Sequence, residues 1–598
     1  MSHSEEKHKE KSALTNNDIN KEKNADLPSE NSEHHKYLIY GVNDSPPIHI
    51  TIVCALQQGL LSLSTQLIVS LLVAEAVCAS DKDIFKARLL SSTLFMSGVT
   101  TLAMNIFGIR LPLFQGAMSE YVVPLLLVGS VEGSFCSTLA PVSDVAKVIN
   151  TSANSTGEDI SMDRILWNVR ALQGSLMLAG VIHALLGFTG LIGVLLKLVG
   201  PLTIVPTMVL LFIFIVKPVL KFVEVNWGIA MSTVFVAVIL FLYLANYNMP
   251  IPIWTPSAGF RIIRYPLHQV FAILISIILN WLLCGLLTKF GVFPDDPKHP
   301  GFNARTDARI SIIRDHPWFT FPYPGQYGPI GFSETAFLSC MIATLISVLD
   351  SIGDYYACAK VCRVPPPPRH AVNRGLLVEG LCTFLSGTVG CGHATGTYGG
   401  NIGAVGVTRV ASRQVFIGVG VLYVLFGIFG KFSAMFITIP SPVLGGAIVV
   451  MFGIFFGVVL SNLEVTNMSS PRNMAIIGLS IFIGLSVPTW VQQVVTPIHS
   501  GNEKADRIIA MLLGNPTLVG TTLACFLDNT VPGSAEDRGM AAWHVSDDDE
   551  TAELDTERYN EGFEVYDPLL PKRLLSLKLM KVVPFLPYKR LSPKVNDV

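Results

Sequence analysis

Apolar runs of about 20 residues recur from Ile48 almost to the end of the chain, and about 20 is the number a helix needs to cross the hydrocarbon core of a bilayer. About fourteen runs stand out, near 48–72, 88–108, 112–130, 171–194, 200–216, 226–246, 266–288, 332–358, 374–390, 394–409, 415–432, 441–460, 474–494 and 506–528. The pattern predicts an all-α polytopic membrane protein whose residues 47–533 form one transmembrane domain. Residues 1–46 are the opposite: rich in Glu, Lys, Asn, Ser and His, they bury too little apolar surface to offset the entropy of ordering. They read as a disordered cytosolic tail, with no cleavable leader pattern at the start. Residues 534–598, with the acidic run Asp547-Asp-Asp-Glu550, read as a second cytosolic tail.

Fourteen is twice seven, which divides the domain into halves near 48–290 and 330–530, and the third segment of each half is abnormal. In the first half, the stretch from Leu111 to Pro124 is interrupted by Pro112 and Pro124 and carries Gln115, Ser119 and Glu120. In the second, the stretch Gly390–Gly406 holds seven glycines among hydroxyl and amide groups. Proline and glycine at this density disfavour a continuous helix, and backbone freed at membrane depth is tolerated only where it is buried in protein or lines a cavity. Interrupted segments at matching positions of two halves point to the central site of a secondary transporter. Kinked helices packed closely through small residues are the plainer alternative for either one alone.

Orientation follows from the short loops. Arg110, Lys197, Arg261, Arg264, Lys360, Arg363, Arg369, Arg374, Arg409, Arg413 and Arg472 fall on one side if the segments alternate, and the positive-inside rule makes that side cytoplasmic. The loop after the third segment is then external and carries two glycosylation acceptors, Asn150 and Asn154. Composition agrees: 50% of the residues are hydrophobic and 14% charged, against about 25% charged in soluble domains. Mean hydropathy is +0.51. The 42 basic and 44 acidic residues leave a net charge of −2, with no basic footprint for nucleic acid. Most of the ten cysteines lie in apolar segments, and none forms a zinc pattern. Cys78 and Cys136 differ, because both fall in predicted loops on one side and can bridge if that side is oxidising.

The eighth segment holds two carboxylates at i and i+4, Asp350 and Asp354, hence on one helix face. An acid within the membrane is costly and normally faces the bundle interior or a water-filled cavity. The plainer readings are an interfacial Asp354 and an Asp350 bonded to neighbouring backbone. With Ser347, Ser351 and loosened carbonyls, the pair offers the oxygen ligands that a hard cation such as sodium prefers. Asn401 and Thr408 present an amide fork and a hydroxyl suited either to a planar polar ligand or to locking the backbone. His393 titrates near neutrality unless it is bonded to backbone. Glu120 lies between two prolines, facing either a cavity or the headgroups. No nucleophile–base pair, resident metal set or phosphate loop is apparent, so the chain does not read as an enzyme.

These residues carry a resemblance. Gly400-Asn-Ile-Gly-Ala-Val-Gly-Val-Thr-Arg409 resembles the signature of the nucleobase–ascorbate transporter family, which runs Gln, Glu or Pro, then Asn, any residue, Gly, four of any kind, Thr, and Arg or Lys. In this sequence Asn401, Gly403, Thr408 and Arg409 match it. The stretches Leu111–Gln115, Arg305–Arg309, Asp350–Ala359, Pro365–Pro368 and Leu527–Gly533 are similar to the animal branch, which includes the sodium-dependent vitamin C transporters. The resemblance implies a seven-plus-seven inverted repeat with core and gate domains, short antiparallel strands in segments three and ten, and substrate held between segments eight and ten. It also implies elevator-like or rocking movement, a homodimer through the gate domains, and coupling to sodium or protons without any catalytic cofactor.

Five departures bear on the substrate, one of them Glu120, which replaces a small residue of the family. The family's binding acid in the eighth segment is usually Glu, and here it is the shorter Asp350. The first signature position, Gln or Glu in nucleobase carriers and Pro in ascorbate carriers, is Gly400. Gln57-Gln58 stands where relatives often have Gln-His, and Gly392-His-Ala394 where animal relatives read Gly-Asn-Gly. A nucleobase reader needs side-chain acceptors on two sides of the ring, and an unpaired buried edge costs about 1–3 kcal/mol. Ascorbate, an anion rich in hydroxyls, can use backbone N–H groups at half-helix ends. The expectation is therefore a plasma-membrane, sodium-coupled carrier for ascorbate or a related polar ring compound. In it, substrate meets Asp350, Ser119, Glu120, Gly399, Gly400 and Asn401, while the ion meets Asp354, Ser347, Ser351 and His393. The alternatives are a nucleobase symporter and a transport-inactive sensor or binding protein.

Overall fold

The computed structural model describes residues 38–121, 157–191, 198–493, 501–539, 561–571 and 583–587, apart from short gaps at 80–81, 246, 248, 256–258, 266–267, 269–270, 297–298, 502 and 535. Asn150, Asn154 and Cys136 lie outside these residues. The helices are α1 (Ile48–Ala76), α2 (Asp83–Ile106), α3 (Gly157–Thr189), α4 (Pro201–Val223), α5 (Trp227–Val238), α6 (Ala272–Lys289), α7 (Ser311–Asp315) and α8 (Glu334–Val361). They continue with α9 (Arg369–Val389), α10 (Gly399–Thr408), α11 (Arg413–Ile428), α12 (Gly430–Ile437), α13 (Ser441–Ser461), α14 (Pro471–Gln493), α15 (Glu503–Leu513) and α16 (Pro516–Thr530). The strands are β1 (Gln115–Ala117), β2 (Met249–Thr255), β3 (Gly259–Tyr265) and β4 (Thr395–Thr397). Among the described residues, seven helices are long and apolar enough to span a bilayer, and the shorter apolar stretches 201–213, 227–243 and 413–428 accompany them.

Sequence chemistry marks the helix ends. Asn226, Ser333, Ser412 and Asn515 each accept a first-turn backbone N–H. Pro201 opens α4, where its missing N–H costs nothing, and Gly390 closes α9 with φ 82°.

The helices pack as two groups. One gathers α1, α2, α3, α8, α9, α10 and α11; the other gathers α4, α5, α6, α13, α14 and α16. Within the first, α3 lies on α9 and α2 on α11, each pair brought to backbone contact by glycines. A Cβ at Gly380 would sit 2.2 Å from the Ala184 nitrogen, and one at Gly187 2.4 Å from that of Leu377. On the other pair, a Cβ at Gly98 would sit 2.6 Å from the Val424 nitrogen and one at Gly427 2.5 Å from that of Phe95. Small residues let membrane helices approach closely where no hydrophobic drive exists between them.

Two features depart from the sequence reading. The antiparallel hairpin of β2 and β3, paired from Met249–Tyr265 to Thr255–Gly259, occupies a stretch read as a loop. Residues 38–44, placed in the tail by composition, lie against the bundle: Leu38 and Val42 are buried, and the Ala411 and Arg413 amides donate to the Tyr40 and Val42 carbonyls. A second terminal stretch seats beside it. Glu561 accepts from the Val42 and Asn43 amides, Arg374 and Arg413 donate to the Tyr566 and Val565 carbonyls, and Arg110 donates to that of Asp567. Cys78 is disulfide-bonded, and the eight other described cysteines are free.

Candidate substrate site at the crossing of two broken segments

β1 and β4 are three residues each and pair antiparallel inside the first helix group, in the register Gln115↔Thr397, Gly116↔Gly396, Ala117↔Thr395. The two central glycines leave room for neighbouring side chains that would have to shift for anything larger. A Cβ on Gly116 would lie 2.6 Å from Gln66 Nε2, and one on Gly396 2.8 Å from the Met118 side chain. The pairing extends by one bond at each end, from the Met118 amide to the Ala394 carbonyl and from the Tyr398 amide to the Phe114 carbonyl.

A two-stranded ladder leaves outer backbone groups unpaired, which is costly away from water. Side chains of α1 and α2 satisfy them. The Ala117 amide donates to Gln66 Oε1 at 2.9 Å, and the Gln115 amide to Thr101 Oγ1 at 3.0 Å. Ser97 donates to the same Gln66 oxygen, and the Thr100 and Thr395 hydroxyls meet at 2.8 Å.

Past the crossing each broken segment re-forms a helical turn: Ser119–Tyr121 after β1 and α10 after β4. α8 runs beside both. Tyr121 bonds Thr344 of α8 at 2.9 Å, and a Cβ on Gly399 would touch Asp354 Oδ1 at 3.1 Å. The Asp354 carboxylate thus sits at the start of α10, where the unsatisfied N–H groups of a helix favour negative charge. Ser119, Asp350, Gly353, Asp354, Tyr398, Gly399 and Gly400 are half-buried, on the turn, α8 and the start of α10. Glu120 is buried, and its Oε2 has no hydrogen-bond partner.

α9 contributes a residue that the sequence reading passed over. Glu379 Oε1 accepts from Gln115 Nε2 and from Thr397 Oγ1, each at 3.1 Å, and Gln115 Nε2 also donates to Thr397 Oγ1 at 2.9 Å. One carboxylate so ties both strands to α9. The signal was available, since Glu379 is an acid inside an apolar stretch. Glu120, Asp350, Asp354 and Glu379 are near enough to act on one another electrostatically, and none of the ion pairs among the described residues reaches them.

Other candidates are engaged elsewhere. Asn401 is fully buried and donates to the Gln58 carbonyl at 2.9 Å and to Gln58 Oε1 at 2.8 Å, fixing α10 to α1. His393 is fully buried, with Nδ1 2.8 Å from the Ala394 carbonyl and Nε2 2.9 Å from the Thr93 hydroxyl. Nδ1 therefore donates and Nε2 accepts. Thr408 bonds the Val405 carbonyl and the Val410 amide at the end of α10, where Arg409 turns left-handed at φ 56°. Gly403 is exposed with open space around it. Ser347 and Ser351 are buried on α8, and Ser351 Oγ has no partner. No group of three or more His, Cys, Asp or Glu among the described residues is set to hold a metal, so a cation here would draw on mixed oxygens.

Helices that bury crossed, interrupted backbone beside membrane acids suit a membrane transporter. Residues 49–493 match the profile described as Permease family. The chain is 37% identical over 507 residues to Solute carrier family 23 member 2 of Homo sapiens, covering 85% of this chain and 76% of that protein. It is 36% identical to Solute carrier family 23 member 1 of Rattus norvegicus, covering 85% and 82%. To Nucleobase-ascorbate transporter 1 of Arabidopsis thaliana it is 31% identical, covering 85% and 92%. The chain belongs to the nucleobase–ascorbate transporter family, in its animal branch.

Proposed function

We propose that this chain is a sodium-coupled secondary carrier that takes up ascorbate, or a related small polar ring compound, across the plasma membrane. The four carboxyl groups at the crossing carry the reading. Glu120, Asp350, Asp354 and Glu379 share one region of an apolar bundle without an ion pair among the described residues. Uncompensated buried charge is expensive, so such a set takes up protons or cations to balance it. An anionic substrate sharpens the demand, because it enters only if positive charge arrives with it. Sodium meets it by binding oxygen.

In this reading Asp350 contacts the substrate or orders its site, with Glu120 beside it, and Asp354 with Ser347 and Ser351 helps hold the ion. The backbone at Ser119, Gly399 and Gly400 completes the pocket. Gln115, Thr397 and Glu379 brace it, and Asn401 and His393 lock α10 and β4 in place. The first helix group is the moving core and the second the gate, through which two copies associate. A seven-plus-seven inverted repeat is supported by the pairings, since α3 on α9 and α2 on α11 exchange under it. Cytoplasmic termini are supported by Arg110, Arg374, Arg409 and Arg413, which share one end of the bundle with both terminal stretches.

A nucleobase symporter is the second reading, favoured by the unpartnered Glu120 oxygen, an acceptor suited to a ring N–H. Uptake of labelled ascorbate, uracil and xanthine, with sodium present or replaced by an impermeant cation, separates the two. Sodium-dependent ascorbate uptake is expected. Uptake that ignores sodium ends the coupling claim, and uracil or xanthine uptake that ascorbate does not compete transfers the assignment to nucleobases. Asp350→Asn is expected to lower uptake about tenfold or more at unchanged surface level; unaltered kinetics would remove this residue from the site.

A further inference from the structure

Three connections at one end of the first helix group lead to or from the elements of the site: 107–114 into β1, 362–368 out of α8 and 409–412 out of α10. Each is turned by an arginine in the left-handed region, Arg110 at φ 67°, Arg363 at φ 50° and Arg409 at φ 56°. Among the described residues the one other non-glycine residue of that kind is Cys78. A side chain in this region is strained, and such backbone persists only where its surroundings over-determine it. Pro365-Pro-Pro-Pro368 adds a second demand, because a run of prolines has carbonyls but no N–H to offer them. Both demands are met by the two stretches that flank the domain. The stretch 38–44 lies along the third connection: the Ile39 amide donates to the Arg409 carbonyl at 2.8 Å, and the Ala411 and Arg413 amides donate to the Tyr40 and Val42 carbonyls at 2.9 and 3.1 Å. The stretch 561–567 covers the other two. Tyr566 is fully buried and donates its hydroxyl to the Pro365 carbonyl at 2.5 Å. Its own carbonyl accepts from Arg374 Nη2 at 2.6 Å, while Arg374 Nε donates to the Gly108 carbonyl at 2.7 Å. Arg413 works in the same way, from Nη2 to the Val565 carbonyl at 3.0 Å and from Nε to the Arg110 carbonyl at 2.8 Å. Arg110 itself donates to the Asp567 carbonyl. Glu561 joins the two stretches, accepting from the Val42 and Asn43 amides, each at 3.1 Å.

We propose that the stretches 38–44 and 561–567 form one clamp on these three connections, with Tyr566 as its wedge and a positioning residue of the carrier. The inference rests on the carrier reading above. Asp350 and Asp354 ride on α8, Ser119 and Glu120 follow β1, and Gly399 and Gly400 open α10, so the clamp holds one end of every element that bears these groups. A site works only while its supporting residues keep it within about 0.5 Å of its productive geometry. Without the wedge, the Pro365 carbonyl loses a donor, the turns at Arg110, Arg363 and Arg409 relax, and the three elements drift against one another. No group leaves the site, only its alignment. The signature of an unseated clamp is therefore a weaker grip on the solute and not a lost turnover.

The test uses the full-length protein, with surface labelling as a control and labelled ascorbate, uracil and xanthine as solutes. Tyr566→Ala is expected to raise KM for the transported solute about tenfold, with the maximal rate per surface carrier within about twofold of wild type. Tyr566→Phe keeps the wedge and removes the bond to Pro365, so most of the affinity returns and KM is expected to rise only about threefold. Glu561→Ala opens the joint between the two stretches at a half-buried position, with an expected rise of about threefold, and decides the matter where Tyr566→Ala fails to reach the surface. An unchanged KM in these variants overturns the inference. A fall in surface level or maximal rate at unchanged KM, in whichever variant is read, makes the clamp an aid to folding and overturns its positioning role. The carrier reading fails by a different result, no uptake of any of the three solutes by the wild type, and the positioning role falls with it.

Discussion

The two helix groups solve the problem of packing in lipid differently. In α1 and α2, 82% and 72% of the apolar window is buried inside the protein; in α6 and α14 the figure is 28%. The first group buries Gln66, Ser97, Thr100, Asn105, Gln115 and Glu379 at or near zero exposure. The second turns Leu279, Leu282, Leu286 and Phe482 outward. Where polar chemistry is enclosed each hydrogen bond must be fixed, since an unmade bond has no water to replace it. Lipid-facing helices need only apolar surface.

The largest expected effect comes from breaking the closest backbone approach in the first group. Gly380→Ala places a methyl 2.2 Å from the Ala184 nitrogen and 2.5 Å from its Cα, atoms that cannot rotate away. Overpacking usually costs about 1–3 kcal/mol, and a backbone obstacle puts this variant at about 3 kcal/mol or above. Gly478→Ala, on exposed α14 with nothing within 4 Å, is expected to change stability by less than about 0.5 kcal/mol. Thermal unfolding in detergent reads both. Equal losses would abolish the distinction between the groups; a loss at Gly478 alone would reverse it.

Glu379→Gln sharpens the comparison from the side of chemistry. The amide oxygen can still accept from Gln115 and Thr397, so the brace persists, but the carboxylate is gone from the cluster. Uptake is expected to fall about tenfold while the melting temperature holds within about 2 °C, the inverse of the glycine variant. A fall in melting temperature matching that of Gly380→Ala would make Glu379 a structural residue only.

Both broken segments were legible because Pro112, Pro124 and the seven glycines of 390–406 are local facts, and local backbone preference needs no partner to be read. Which way a side chain faces is not local. Asn401 and His393 carry groups suited to a ligand, yet Gln58, Thr93 and the Ala394 carbonyl claim them, and sequence cannot show that those partners come within 3 Å. Glu379 was hidden for the converse reason: it lies in an unbroken helix, and its role appears only when Gln115 and Thr397, 282 residues apart, are paired across the strands. The β2–β3 hairpin left a weak trace in Pro250-Ile-Pro-Ile253, a period of two too short to compete with flanking apolar runs. The docking of Leu38, Val42 and Tyr566 left almost none, because a few apolar residues in a polar stretch do not register as an element.

The smallest effect lies outside both groups, in the stretch between α6 and α7. Arg305 donates through Nε and Nη2 to the two Asp307 oxygens, both at 2.8 Å, and pairs also with Asp295. Hydrogen bonding from Arg305 holds the Asp307 carboxyl below its ordinary value. A carboxyl lowered in the folded state stabilises the fold at pH values above its unfolded value, about 3.9, and that contribution fades as pH falls through the lower folded value. The Asp307 carboxylate is solvent-exposed, so Arg305→Ala is expected to lower the melting temperature by only about 1 °C at neutral pH, and less in high salt. The difference from wild type should shrink toward zero well below about pH 3.9, where Asp307 is protonated in both proteins. A difference that survives acid undiminished would place the Arg305 contribution in its packing over the Phe302 ring, 5.8 Å from the guanidinium carbon, and take the carboxylate out of the account.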